Sequence, residues 1–407
     1  MKLEYIVFII IIGSYLFSSI IDLLNIKNIQ TEVPTEFQGF YDQEKYKKSQ
    51  AYLKTNTKFA LLEGAISTLL LVTFIALGGF NFIDLQIRDV TSNPIFQGLL
   101  YIATLSLLGG LIGLPFHIYD TFVIEEKFGF NKTTPKTFIG DLFKSVLMGV
   151  LIGGIVLAVI FWFFETVNNA WLWVFAFIIL FQLFVMFIAP VTIMPLFNKF
   201  EPLEEGPLKT EIENFAKKEN FKLSGLFKMD GSKRSTKANA YFTGFGKFRR
   251  IVLFDTLIQK HTQQELVSIL AHEIGHYKEK HIFRQLFVSI FTTGLTFYVF
   301  SLFMKNPEIF KAFQMENISI YASFVFFGIF YSPISTMISL YSLYLSRKYE
   351  FEADSYAART YGHSQELVNA LKKMSVDSLS NLNPHPLKVF FEYTHPPVIQ
   401  RVKAMKR

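Results

Sequence analysis

Two histidines four residues apart, His272 and His276, with Glu273 beside the first, are the side chains whose types and spacing could do chemistry. On a helix of 3.6 residues per turn both imidazoles stand on one face, one turn apart. Two rings so placed can bind one Zn²⁺, and Glu273 can take a proton from water held there. Five residues are a short pattern, and an amphipathic surface helix can carry the same letters. A third ligand decides between the two readings.

There is no cysteine, so any further ligand is a histidine or a carboxylate. A third histidine within the extended His-Glu-x-x-His-x-x-Gly-x-x-His pattern is excluded, because Glu279 and Ile282 occupy the required positions. The other common solution takes a glutamate from a second helix. Residues 346–354 offer Glu350 and Asp354, four apart on one helical face, while Glu352 points elsewhere. One of the facing pair can ligate zinc and the other can accept the second N–H of a ligating histidine. Alone, this stretch reads as an exposed charged helix; beside the upstream motif it reads as the missing ligand. Arg347, one turn before Glu350, is expected to brace an acid.

The elements that must position these groups are legible too. Thr262 and Glu265 fit a capping box at the start of the motif helix. Leu266, Ile269, Leu270 and Ile274 supply its apolar stripe. Around it the chain is 51% hydrophobic with 47 phenylalanines and only 18% charged residues. A soluble domain carries about 25% charged residues, so the composition points to a membrane protein. Seven apolar runs are long enough to span a bilayer: residues 5–24, 59–79, 95–116, 146–164, 171–194, 286–303 and 318–345, the last with Pro333 as an expected kink. The first reads as a retained anchor, because it lacks a strongly basic start and a small-x-small cleavage site.

Lysine and arginine collect on one side of these spans. Lys27, Lys45, Lys48, Lys58, Lys127, Lys132 and Lys144 lie there, with the basic segments 198–284 and 346–407; the opposite loops carry only Arg88, Lys305 and Lys311. The positive-inside rule then puts the N-terminus outside and the motif inside. The formal charge of +7 is an orientation signal and not a nucleic-acid footprint. The expected organisation is spans 1–5 with their inner loops over 1–197, an inner segment 198–285 carrying the motif, spans 6–7 over 286–345, and an inner segment 346–407 carrying the third ligand. Arg250 to Phe254 is a short β-like run in an otherwise all-α integral membrane protein.

His272, Glu273 and His276 followed by Ser346, Arg347, Glu350, Ala353 and Asp354 resemble the membrane zinc metalloproteases that include CAAX prenyl protease type 1. The resemblance covers nearly the whole chain. Residues 119–131, with Glu125, Glu126, Lys127, Gly129, Phe130 and Asn131, are similar to a signature of that branch, as are residues 195–200, 239–245 and 394–397. It implies a helical barrel around a water-filled chamber, with a gluzincin-like protease domain split between the loop before helix 6 and the C-terminal segment. It implies one Zn²⁺ per chain on His272, His276 and Glu350, with Glu273 as general base and acid and Asp354 as partner of a ligating histidine. Asn239 would bind substrate backbone, His395 would stabilise the tetrahedral intermediate, and Arg401 would pair with a carboxylate near Glu350 or bind a substrate terminus.

The implied partners are the lipid bilayer and a peptide or protein substrate, including one with a prenylated C-terminal CAAX sequence; nucleic acid is excluded. Met405-Lys406-Arg407 is no ER-retrieval signal, so a bacterial inner membrane with the site on the cytoplasmic side is expected, or the ER membrane in a eukaryote. The nearest alternative is a membrane quality-control zinc protease of the heat-shock-induced type, which shares the metal motifs. A transporter or receptor would instead place polar groups deep in its spans, where Glu63 and Gln182 are the few candidates.

Overall fold

The computed structural model describes residues 2–243 and 249–406, so Gly244 and Phe245 of the 239–245 stretch lie outside the described residues, as does Arg407. Seven helices are long and apolar enough to cross a membrane: Leu3–Lys27, Gln43–Ala76, Pro94–Phe128, Pro135–Thr166, Ala170–Phe197, His281–Phe303 and Ile320–Tyr361. Each expected run falls on one of them. The second run overshoots its helix because Gly78, at φ +68°, turns the chain into the short helix Gly79–Val90. That helix packs at the end of the spans away from the His272 motif, where buried Asp84 accepts from Arg88 Nε at 2.7 Å and Tyr321 OH at 2.5 Å.

The seventh helix does the most for the site. Its 42 residues extend about 63 Å at 1.5 Å per residue, twice the roughly 30 Å hydrocarbon core. It is therefore long enough to leave the membrane as one unbroken helix, and it carries Glu350 about 45 Å from its N-terminal end. The boundary expected at 345/346 falls inside this rod. Pro333 lacks an N–H for the Ile329 carbonyl, and Ser332 Oγ donates to that oxygen at 2.8 Å instead.

The two polar blocks, 198–285 and 346–407, pack into one body. Leu203, Phe215, Ile251, Leu266, Leu270 and Ile274 share a core with Tyr356, Ala357 and Ala370. Within it lies a four-stranded sheet: β1 (Phe200–Pro202), β2 (Gly225–Met229), β3 (Ala240–Thr243) and β4 (Arg250–Phe254), in the order β1-β2-β4-β3. Only β4 is apparent from sequence. The others are three to five residues long, one of them ends in proline, and alternation over so few positions is weak. The chain is thus mainly helical, with a small sheet that presents β3 as an edge.

A second feature ties this sheet to the spans. The third span ends in a π-helical turn, Asp120–Glu125, which lies in the 119–131 signature stretch. Glu125 accepts from Tyr52 OH and from Lys237 Nζ, the latter at 2.8 Å, and the Lys237 ammonium sits 4.4 Å over the Phe130 ring. Arg234 forks onto Asp141 at 2.7 and 2.9 Å. These bonds anchor the segment that leads into Asn239 and β3.

Candidate active site

The motif helix is Gln263–Lys278, and its capping box is complete: Glu265 N donates to Thr262 Oγ1 at 3.2 Å and Thr262 N to Glu265 Oε2 at 3.0 Å. Its stripe, Leu266, Ile269, Leu270 and Ile274, is buried as the spacing predicts. It crosses the seventh helix at Gly275. A Cβ there would stand 3.1 Å from the Cα and carbonyl oxygen of Ala353, so only glycine against alanine lets the backbones approach this closely. The crossing brings His272 and His276 to Glu350, which sits one turn before Ala353.

The donor atoms form a compact triangle. His272 Nε2 and His276 Nε2 lie 3.1 Å apart, and they are 3.5 and 3.3 Å from the Glu350 carboxylate oxygens. Ligands bound at about 2.0–2.1 Å with tetrahedral angles stand about 3.3–3.4 Å from one another, so these spacings fit one small cation. Charge agrees with geometry. Among the described residues, Glu273, Glu350 and Asp354 are three acids gathered around Arg401. Burial alone would lower the His272 pKa, but the acids outweigh it and push it up to about 9. Glu350 Oε2 has an ion-pair contact with Arg401 Nη1 at 2.9 Å but no aligned hydrogen bond, and so keeps a lone pair for a ligand.

Each imidazole is oriented from behind. His272 Nδ1 donates to Asp354 Oδ1 at 2.9 Å, which turns the Nε2 lone pair toward the triangle. His276 Nδ1 lies 3.0 Å from His281 Nδ1, and His281 Nε2 donates to Glu352 Oε2 at 2.8 Å. With its one proton on Nε2, His281 accepts from His276, whose Nε2 is then also free. Arg284 holds Glu352 at 3.1 Å, and Tyr349 stacks on His281 with centroids 4.2 Å apart. His281 and Glu352 are absent from the sequence-based site. Glu352 does point away from Glu350, and what it points at lies across a helix break at Glu279 and Lys280, where no periodicity signals it.

Of the two arginines, Arg401 takes one of its expected partners and Arg347 does not. Arg401 is 7% exposed, and its fork engages Asp354 at 2.8 and 2.6 Å as well as Glu350, so of its expected partners it takes the site's acids and is not free to receive substrate. Arg347 braces no acid among the described residues; Nη1 donates to the carbonyls of Val389 and Tyr393 at 3.0 and 2.7 Å. His395 comes to the site as the resemblance implied, Nε2 lying 3.4 Å from Glu350 Oε1 with the side chain 63% exposed. Asn239 is exposed at the start of β3, where its Oδ1 accepts from Ala240 N at 2.9 Å. Glu273 makes no side-chain hydrogen bond to another described residue; burial raises its pKa while His272 and His276 pull it down.

Two histidines and a glutamate gathered at one end of a bundle with seven helices fit to cross a membrane, with the Glu273 carboxylate beside them, define a membrane metallopeptidase. Residues 22–199 match the family described as CAAX prenyl protease N-terminal, five membrane helices, and residues 202–407 match peptidase family M48. CAAX prenyl protease 1 of Saccharomyces cerevisiae is 33% identical over 403 residues, covering 92% of this chain and 89% of that protein. The CAAX prenyl protease 1 homolog of Homo sapiens is 30% identical over 436 residues, with 92% and 89% covered. The crystal structure of S. mikatae Ste24p matches with a TM-score of 0.95 at 32% identity over 100% of both chains. The chain belongs to peptidase family M48, in its CAAX prenyl protease 1 branch.

Proposed function

We propose that this membrane metallopeptidase is a zinc enzyme that cleaves peptide bonds near the C-terminus of prenylated or otherwise membrane-associated substrates, from the cytoplasmic side. The observation that carries it is the His272–His276–Glu350 triangle, held where the seventh span emerges on the lysine-rich side. Two imidazole nitrogens and a carboxylate oxygen, with no thiolate in the chain, are a zinc donor set with a fourth position open to reactants. When bound, the ion supplies Lewis acidity and makes water a nucleophile at neutral pH.

The chain's own groups do the rest. Glu273 takes the proton of the attacking water on its carboxylate and returns it to the leaving amide nitrogen. His395 Nε2 donates to the carbonyl oxygen as negative charge develops on it. Asn239 and β3, the edge strand among the described residues, offer backbone partners to an extended peptide. A substrate already carrying an isoprenoid partitions to the membrane surface beside this site, at about 0.8 kcal/mol per buried methylene. The names of the relatives support the same substrate class for this chain.

The test offers the purified enzyme one C-terminal CAAX peptide with and without a farnesyl group on its cysteine and follows release of the last three residues by mass spectrometry. We expect kcat/KM to be roughly tenfold or more higher for the farnesylated peptide. Equal rates for the two would point to the quality-control type of protease instead.

A further inference from the structure

We propose that Arg347 is a positioning residue for His395, setting its distance from the metal site through the backbone of the preceding helix. The proposal rests on the reading of His395 as the oxyanion donor. The short helix Pro386–Glu392 ends three residues before His395, and its Val389 carbonyl accepts from Tyr393 N at 3.2 Å with one lone pair to spare. Arg347 Nη1 donates to two oxygens in this region, Val389 O at 3.0 Å and Tyr393 O at 2.7 Å. One guanidinium nitrogen thus ties down both the final turn and the residue that leaves it. The base of the same helix is fixed independently, because Lys388 Nζ reaches Asp22 of the first span at 2.5 Å.

The chain beyond His395 is anchored as well. Pro396 and Pro397 stiffen it into the helix Val398–Met405, whose Arg401 forks onto Asp354. Arg347, Glu350 and Asp354 stand at i, i+3 and i+7, a single stripe of the seventh helix. The stripe grips the chain before His395, presents the metal ligand, and grips the chain after it. His395 is suspended between the two grips, with Thr394 Oγ1 2.8 Å from its Nδ1 and its Nε2 left facing Glu350. Its side chain is exposed, so packing does not fix it, and the backbone anchors decide where it points.

A double-substitution cycle tests this. Arg347→Ala should lower kcat about 10- to 100-fold with KM changed little, since a displacement of about 1 Å costs a catalytic group that much. His395→Ala should lower kcat about 10²- to 10³-fold. In the His395→Ala background, Arg347→Ala should cost less than about a further threefold, because the group it positions is gone. Zinc content, measured in parallel, should stay at the wild-type level in all variants. Losses that multiply in the double variant, or loss of zinc in Arg347→Ala, overturn the proposal. His395→Ala with unchanged kcat overturns the reading of His395 on which it rests. Should Arg347→Ala fail to fold, Arg347→Met carries the same cycle, because it keeps the aliphatic stem and removes the one nitrogen that serves both carbonyls.

Discussion

Glu273→Gln is expected to keep its metal and lose about 10³- to 10⁴-fold in kcat, the upper range for removing a general base that also serves as the acid. Glutamine has the same shape and reaches the same place, but it cannot take the proton of water or give one to the leaving nitrogen. The structure makes the separation of binding from chemistry clean. Glu273 does not belong to the ligand triangle and accepts no hydrogen bond from another described side chain, so its replacement disturbs no support of His272, His276 or Glu350. Burial raises its pKa and so makes the carboxylate a stronger base, while the neighbouring histidines pull the other way. Single-turnover cleavage beside zinc analysis checks the prediction, and turnover unchanged from wild type would refute the assigned base.

Arg401→Ala is expected to destabilise the chain by about 3–5 kcal/mol, the usual cost of removing one partner of a buried ion pair. The substitution leaves Asp354, 1% exposed, and Glu350, 4% exposed, without their counter-charge. It also frees Asp354 from a bidentate clamp, and with it the hydrogen bond that turns His272 toward the metal. Zinc affinity should therefore fall about 10- to 100-fold, as it does when such an outer support is lost. Arg401→Lys restores charge but not the fork, and should recover only part of each loss. Thermal unfolding in detergent and chelator competition measure the two effects. A variant of wild-type stability and zinc affinity that bound only substrate more weakly would give Arg401 its other expected role, binding a substrate terminus.

What could be read without a structure was local. The motif helix, its capping box and the seven spans depend on neighbours within a turn or two or on runs of apolar residues, and all are where the pattern placed them. Glu350 and Asp354 stood out as a pair on one face, but spacing alone left open which would reach the metal. That is decided by the Gly275–Ala353 crossing, a contact between residues 78 positions apart. His281 was missed for the same reason. It belongs to the next helix, and only the turn through Lys280 at φ +61° swings it behind His276. Arginines are the hardest to assign from sequence, since a long side chain reaches acids and carbonyls equally well. Arg347 found carbonyls, and Arg401 found the acids of the metal site. Three of the four strands were too short for alternation to separate them from loop.

Zinc analysis of the purified chain, run beside its Glu350→Ala variant, bears most directly on the claim that His272, His276 and Glu350 form the metal site of a peptidase. The predicted result is one zinc per wild-type chain and almost none in Glu350→Ala, in which two imidazoles alone must hold the ion. Wild-type protein that cleaves peptide without stoichiometric zinc, or a Glu350→Ala variant that retains zinc as the wild type does, would contradict it.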